Sequence, residues 1–286
     1  MGGRAYPQET DPLMPSRLWE QQARQWARLG PPLRPGGEDV LLAQRAIDTW
    51  RRNHSSSPRA VILGATPELA SLDWPEGSHV IAVDLVEGML RGVWMLAPSA
   101  AGRRQSVIGN WLQMPLKPSS VDVAMADGSF SLVRRARAAL FVASVREMLR
   151  SDGVLALRSY IRPPIDELPA SVWDQMLAGP VGGFSTFKLR LLMSLHDGTG
   201  EVRLADAWRF FHERCSSYES LADRTGWSLD EVSTVEAYRN QQSVYRFPTL
   251  VELRSTLAPY FVEEDCASPS YEMGERCLSL VLRPRP

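Results

Sequence analysis

Short apolar runs separated by polar, turn-rich stretches fill the middle of the chain. Residues 60–63 form one run that stops at Gly64, and residues 79–83 form a second that stops at Asp84. Nearly every position in these runs is apolar, as in strands that are buried on both faces of a parallel sheet. The interval between them holds a turn and a short helix, so residues 59–90 predict a βαβ unit.

The same alternation continues to residue 160. Further strands are predicted over residues 106–109, 121–126 and 154–159. A helix over about residues 134–149 leads through a turn at residues 151–153 into the last of them. Strands that alternate with helices at this spacing predict an α/β fold with a doubly wound, mostly parallel sheet.

The N-terminal region, residues 1–57, combines a proline-rich arm with two predicted helices. These helices cover residues 16–29 and 38–52. Four residues form the apolar stripe of the second helix: Val40, Leu41, Ile47 and Trp50. We expect this region to act as a lid.

A second helical region follows the core. After Pro163 and Pro164 the periodicity becomes helical up to about residue 257. Two Ser/Thr-x-x-Glu patterns predict capping boxes there, Ser228 with Glu231 and Thr249 with Glu252. Cofactor binding needs no such addition, so we expect residues 162–257 to be a helical insertion that covers the substrate. The core then comprises residues 58–161 and 258–286.

Composition narrows the class of partner. The 286 residues carry a formal charge of −1, which gives no general attraction to nucleic acids or acidic membranes. Three widely spaced cysteines favour reduced thiols in a cytoplasm and lack metal-ligand spacing. No apolar stretch has the length of a signal peptide or a membrane span. We therefore expect a cytoplasmic protein without a metal, and the oligomeric state stays open.

Four polar or small residues stand where predicted strands end: Gly64, Asp84, Asn110 and Asp127. Ligands of doubly wound sheets bind beyond these strand ends, so the four residues are expected to converge. A glycine lets the backbone approach a ligand, and a carboxylate twenty residues later can accept hydrogen bonds from two ribose hydroxyls. The first loop has one glycine where a dinucleotide fingerprint has three, which favours a nucleoside cofactor without a pyrophosphate.

Four stretches together resemble class I S-adenosylmethionine-dependent methyltransferases. They read ILGATPELA, AVDLVEGML, GNWLQMPLKPSSVDVAMADGSF and REMLRSDGVLALRSY. The resemblance covers about residues 58–160 and the last two predicted strands, residues 260–264 and 276–282. It implies a Rossmann-like sheet of seven strands with the last one antiparallel, and S-adenosylmethionine as the cofactor.

The resemblance also implies roles for individual residues. Asp84 would bind the ribose, Leu85 and Met89 would line the adenine, and Asn110 would contact its amino group. The full set of implied cofactor-binding residues is Gly64, Ala65, Thr66, Asp84, Leu85, Met89, Asn110, Trp111, Asp127 and Gly128. Asp127 would lie near the methionine amino group or the substrate. Plain structural roles stay open for Met89, Trp111 and Asp127, as core, packing and turn residues.

Substrate contacts are proposed for Trp19, Tyr160, His196 and His212, while the catalytic residue stays unknown. The function expected from the resemblance is methyl transfer to oxygen, nitrogen or carbon of a small molecule in specialised metabolism. The alternative is a cyclisation or elimination with the same cofactor, or a silent scaffold. The absence of a G-x-G-x-x-G fingerprint argues against a dehydrogenase. The sequence Asp127-Gly128-Ser129-Phe130 lacks the Pro-Pro-Tyr or Pro-Cys typical of nucleic-acid methyltransferases.

Overall fold

A computed structural model describes residues 23–98, 103–179 and 182–286. Nine strands are present in the described residues: β1 (Arg59–Leu63), β2 (His79–Asp84), β3 (Arg103–Ile108), β4 (Val121–Asp127), β5 (Leu149–Tyr160), β6 (Glu201–Arg203), β7 (Val244–Arg246), β8 (Phe261–Ala267) and β9 (Cys277–Pro284). Seven of them form one sheet in the order β3-β2-β1-β4-β5-β9-β8, and β6 pairs with β7.

The α-helices of the described residues are α1 (Gly37–Arg51), α2 (Pro67–Ala70), α3 (Ala138–Met148), α4 (Pro169–Ala178), α5 (Phe184–Ser194), α6 (Leu204–Arg214), α7 (Tyr218–Thr225), α8 (Leu229–Ser233) and α9 (Leu250–Leu257). Short 3₁₀ segments lie at Trp26–Arg28, Ser129–Leu132 and Thr234–Tyr238, and a π-helical turn lies at Met89–Val93. None of the helices in the described ranges is long and apolar enough to cross a membrane.

The large sheet confirms the predicted fold class. Strands β1 to β5 pair in parallel, and β9 runs antiparallel to both β5 and β8. The chain reverses its direction of travel across the sheet between β1 and β4, because β2 and β3 lie on one side of β1 and the later strands on the other. Such a reversal opens a crevice at the carboxyl ends of the strands, where ligands of α/β sheets bind.

Strand β1 explains how the two faces of the sheet are filled. Val61 and Leu63 pack with α3 in one cluster, called here the α3-side core. Ala60 and Ile62 point the other way and pack with Ile47 of α1 in the α1-side core. The two-residue period of a strand thus converts one apolar run into contacts on both faces. A third cluster, the insertion core, is built mainly by the residues that follow β5.

Three predicted elements differ from the structure. Leu41 was expected in the buried stripe of α1 but is 69% exposed, whereas Leu42 is buried. The predicted turn at residues 151–153 lies inside β5, where the pairing with β4 shifts register. Strand β3 begins at Arg103, earlier than predicted, because this edge strand is polar and gives no apolar signal.

The insertion is mostly helical, as predicted, and both capping boxes are confirmed at the N-termini of α8 and α9. The pairing of β6 with β7 was not predicted, because three-residue strands are too short to show a period. Helix α9 contributes Leu253 and Leu257 to the α3-side core, so the last predicted helix of the insertion packs against the sheet. The first predicted helix, residues 16–29, is described only from residue 23 onwards.

Candidate functional site

A cleft of about 1070 Å³, part of it open to solvent, lies at the carboxyl ends of β1, β2 and β4. It is enclosed by the N-terminal region on one side and by the insertion on another. Ten of the residues proposed from the sequence line it: Gly64, Ala65, Thr66, Asp84, Leu85, Met89, Trp111, Asp127, Gly128 and Tyr160. The strand ends therefore do converge on one concave surface.

Gly64 forms a tight corner at the end of β1. Its φ of +112° is a conformation that residues with a side chain rarely adopt. A Cβ placed here would lie 3.8 Å from Cζ2 of Trp111 and 4.0 Å from Oδ2 of Asp84. The indole is fixed by a 2.7 Å hydrogen bond from its Nε1 to the carbonyl oxygen of Val83. A glycine, an indole and a carboxylate thus meet at the floor of the cleft.

Asp84 ends β2 with its carboxylate against this floor. Its Oδ1 accepts a 2.8 Å hydrogen bond from the N–H of Val86, which fixes the carboxylate orientation. Burial raises the pKa of Asp84 to about 6, while backbone N–H groups of Val86 and Leu85 act in the opposite direction. No cation of the described residues contributes to this balance. Asp84 is therefore a mostly ionised acceptor at pH 7 that faces a cleft without a counter-charge.

Asn110 is not among the lining residues of the cleft, and its predicted contact with the base stays a prediction. Its Oδ1 accepts a 2.9 Å hydrogen bond from the N–H of Leu112 and so caps a turn. The neighbours Gly109 and Trp111 line the cleft instead. A Cβ on Gly109 would lie 2.4 Å from Cγ of Pro115, so this close backbone approach requires glycine.

Neither histidine proposed for the substrate lines the cleft. The side chain of His196 is only 4% exposed, and its Nε2 lies 2.9 Å from Oδ1 of Asp166. His212 is exposed and stacks on Trp208, with 4.8 Å between ring centroids. His196 lies in the loop that follows α5, and His212 lies in α6. Trp19, the remaining candidate, lies outside the described residues.

A buried arginine that was not predicted from the sequence contacts two residues that line the cleft. Arg158 of β5 is only 6% exposed. It donates from Nη1 to Oδ1 of Asp127 at 2.6 Å and from Nε to Oδ1 of Asp39 at 2.9 Å. Tyr160 also contacts it, through a 3.1 Å hydrogen bond from Nη1 to the phenol oxygen. The available signal was a charged residue in the apolar run of β5, since a buried cation requires partners.

This network joins the N-terminal region to the sheet. Tyr160 donates through its hydroxyl to the carbonyl oxygen of Pro32 at 2.8 Å, and Asp39 is the third residue of α1. Burial raises the pKa of Asp127, and the guanidinium of Arg158 opposes that effect. Asp127 is therefore held by a protein cation, in contrast to Asp84.

The N-terminal region and the insertion meet above the cleft. Trp26, Leu29 and Leu33 line it from the first, and Tyr238 and Tyr245 line it from the second. The two regions are tied by a 3.2 Å hydrogen bond from the N–H of Gly30 to Oγ of Ser185 and by an ion pair of Arg28 with Asp230. Across the described ranges, no three His, Cys, Asp or Glu side chains are grouped as metal ligands.

Comparison with known proteins gives a domain match over part of the chain and a fold. Residues 63–157, about a third of the chain, match the family model described as a methyltransferase domain. No curated protein sequence matches the chain.

Solved structures share the fold at low sequence identity. A Rhodobacter sphaeroides protein provisionally assigned as a Zn-dependent alcohol dehydrogenase is 12% identical with a TM-score of 0.61, over 95% of this chain and 99% of that one. The Burkholderia thailandensis 1,6-didemethyltoxoflavin-N1-methyltransferase, solved with 1,6-didemethyltoxoflavin and S-adenosylhomocysteine, is 14% identical with a TM-score of 0.50, over 100% and 93%. A Haloferax volcanii complex of the Trm112 methyltransferase activator with a methyltransferase is 11% identical with a TM-score of 0.50, over 94% of this chain and 97% of that one.

Proposed function

We propose that the protein is a class I S-adenosylmethionine-dependent methyltransferase that methylates a small-molecule acceptor, and the match of residues 63–157 to a methyltransferase domain supports this. One observation carries the proposal. The buried carboxylate of Asp84, without a protein cation, lies beside the glycine corner of Gly64 in a cleft covered by the insertion. This arrangement suits a nucleoside on the floor and an acceptor under the cover.

The residues present fit S-adenosylmethionine. A carboxylate with one oxygen turned to the cleft can accept hydrogen bonds from ribose hydroxyls, which is a role proposed for Asp84. Leu85, Val86 and Met89 supply an apolar wall for an adenine ring. We propose that the cofactor occupies the floor of the cleft and the acceptor the space between the floor and the insertion.

When bound, S-adenosylmethionine supplies an electrophilic methyl group; the acceptor lone pair forms the new bond, the C–S electron pair returns to sulfur, and the acceptor releases a proton. The chain contributes orientation, which can provide most of the acceleration of such a displacement. Gly64 and Gly128 keep the floor open to close approach, since a Cβ on Gly128 would lie 3.0 Å from Cε2 of Tyr160. Trp26 from the N-terminal region and Tyr238 from the insertion line the cleft and restrict the access of water to it.

A small acceptor is proposed because the cover closes over the cleft. The contacts of Gly30 with Ser185 and of Arg28 with Asp230 bring the N-terminal region against the insertion. A polymer would have to separate these regions. We take the cytoplasm as the compartment, since the cysteines Cys215, Cys266 and Cys277 are all unpaired.

Titration calorimetry with S-adenosylmethionine, S-adenosylhomocysteine and NAD tests the proposal. We expect both adenosyl ligands to bind and NAD not to bind. Binding of NAD alone, or of none of the three, would contradict it. A methyl-labelled cofactor then separates methyl transfer from cyclisation or elimination, because only methyl transfer moves the label into an acceptor.

A further inference from the structure

The cleft has a second wall that the proposed cofactor site around Asp84 does not include. It is called here the insertion-side wall and consists of Leu33, Ser131, Leu132, Tyr160, Tyr238 and Tyr245. The three tyrosines belong to the insertion core, and Leu33 and Leu132 pack against it. The floor residues Met89 and Trp111 belong instead to the two cores of the sheet. The cleft therefore lies where three apolar clusters meet, and this wall lies on the side of the insertion core.

Three hydroxyl groups on this wall have no hydrogen-bond partner among the described residues. Oγ of Ser131 is buried and makes no hydrogen bond within the described structure. Tyr238 is 2% exposed and Tyr245 is 9% exposed, and burial raises the pKa of both without a contribution from any hydrogen bond among the described residues. Buried polar groups are nearly always hydrogen-bonded, so three unused hydroxyls in one wall indicate a place for ligand heteroatoms. Tyr160 provides the contrast, since its hydroxyl is bonded to Pro32 and Arg158.

The shape of the wall suits a ring. The rings of Tyr238 and Tyr245 meet edge to face, with 6.4 Å between centroids and 68° between planes. Such a corner accepts a planar molecule against one face and one edge. Leu33 and Leu132 complete an apolar surface around it.

The wall offers no counter-charge for an ionised acceptor. Among the described lining residues the only Asp, Glu, Lys or Arg side chains are Asp84 and Asp127, and Asp127 contacts Arg158. The nearby basic side chains do not line the cleft: Lys188 and Arg246 lie against the rings of Tyr238 and Phe130, behind the lining residues. Lys188 donates from Nζ to Oγ1 of Thr234 at 2.8 Å. An anion would lose its hydration at this wall without gaining a partner. A cation would lie close to the positive sulfonium.

We infer that the acceptor is a neutral, planar aromatic molecule that carries hydrogen-bonding heteroatoms, such as a phenol or a nitrogen heterocycle. This inference rests on the proposed function, because it assigns the floor of the cleft to the cofactor. The hydroxyls of Tyr238, Tyr245 and Ser131 bind the heteroatoms, and the two tyrosine rings hold the plane of the acceptor. The reactive heteroatom then faces the floor.

Calorimetry of the full chain in saturating S-adenosylhomocysteine tests the inference with ring-matched probes: 2-naphthol and 2-naphthoate, 4-ethylphenol and 4-ethylbenzoate, and 2-naphthylmethylamine as the cation. We expect at least one neutral probe to bind tenfold or more tighter than its carboxylate partner and the amine. Tyr238→Phe and Tyr245→Phe keep the ring and remove the hydroxyl. Each substitution should weaken the binding of the neutral probe by about three- to tenfold, which is the effect of one lost hydrogen bond. Tyr260→Phe is the matched control, because Tyr260 does not line the cleft.

The outcomes separate the two claims. Failure of S-adenosylhomocysteine to bind contradicts the proposed function itself. If it binds but the carboxylate or the amine binds as tightly as the neutral probe, or if no probe binds, the acceptor class inferred here is wrong and the proposed function stands. If the neutral probe binds equally to wild type and to both phenylalanine variants, the role given to the tyrosine hydroxyls is wrong.

Discussion

Replacement of Asp84 by asparagine tests the cofactor site through the pH dependence of binding. Burial raises the pKa of this carboxyl to about 6 in the absence of ligand. Ribose hydroxyls donate to the ionised form, so binding must first remove the proton that is present below this pH. The affinity of wild type should therefore fall as the pH drops through 6. A group with a pKa of about 6 predicts a loss of about tenfold between pH 7.5 and pH 5.

The Asp84→Asn variant should lose both the affinity and its pH dependence. At pH 7.5 the loss of a charged hydrogen-bond acceptor is expected to weaken S-adenosylhomocysteine binding by about 1–3 kcal/mol. Between pH 7.5 and 5 the affinity of the variant should change little, apart from the titration of the ligand itself. Calorimetry at both pH values measures the four dissociation constants. Asp73→Asn is the control, since the side chain of Asp73 is 87% exposed.

Stability gives an independent reading of the same carboxyl. A pKa raised from 3.8 to about 6 means that the folded state holds the proton more tightly than the unfolded state. The contribution of Asp84 to the free energy of unfolding is therefore present below pH 3.8 and is lost as the pH rises through 6. Above pH 6 the ionised carboxylate destabilises the unliganded fold by an upper limit of about 3 kcal/mol.

Denaturant unfolding at pH 7.5 should accordingly show Asp84→Asn to be more stable than wild type in the absence of ligand. A substitution that raises stability and lowers ligand affinity is expected at a residue that is retained for binding. Wild-type affinity that does not change between pH 7.5 and 5, or full affinity in the variant, would refute the reasoning.

Two further substitutions test buried charges around the cleft. Burial lowers the pKa of Lys188 from 10.5 to about 7, so the unfolding free energy of wild type should rise between pH 7 and 10. Lys188→Met should abolish this part of the rise in unfolding free energy, as measured by denaturant titrations. Parallel pH profiles of the unfolding free energy for wild type and variant would contradict the prediction. Arg158→Met should lower the unfolding free energy by about 3–5 kcal/mol, because Asp39 and Asp127 lose their cation. Arg158→Lys should restore only part of it, since one ammonium cannot span both carboxylates as the guanidinium does; a loss below about 1 kcal/mol in Arg158→Met would contradict the assigned network.

The sequence by itself determined the order of the core strands along the chain and the ends at which a ligand would bind. The reason is local: residues 60–63 and 121–126 are buried on both faces, so their apolar runs and their polar ends are visible without the fold. Asp84 was predicted as a ligand contact in this way, because a carboxylate directly after an apolar run is an unusual position, and it does line the cleft. Capping boxes at Ser228 and Thr249 were found for the same reason, since each is complete within four residues.

Other features depend on residues that are far apart in the chain. Asn110 and Trp111 are adjacent, yet only the packing of β3 against β2 decided that the indole enters the cleft while the amide caps a turn. Tyr238 gives no sign of its role in the sequence, because its place on the wall depends on how the insertion folds back over the sheet.

Arg158 has partners 119 and 31 residues away, so its contacts exist only once α1, β4 and β5 are assembled. Local patterns specify elements and their ends, since strand and helix periods are short-range properties. Tertiary structure alone decides which buried charges find partners and which hydroxyls are left for a ligand, because burial and pairing are set by distant segments brought together.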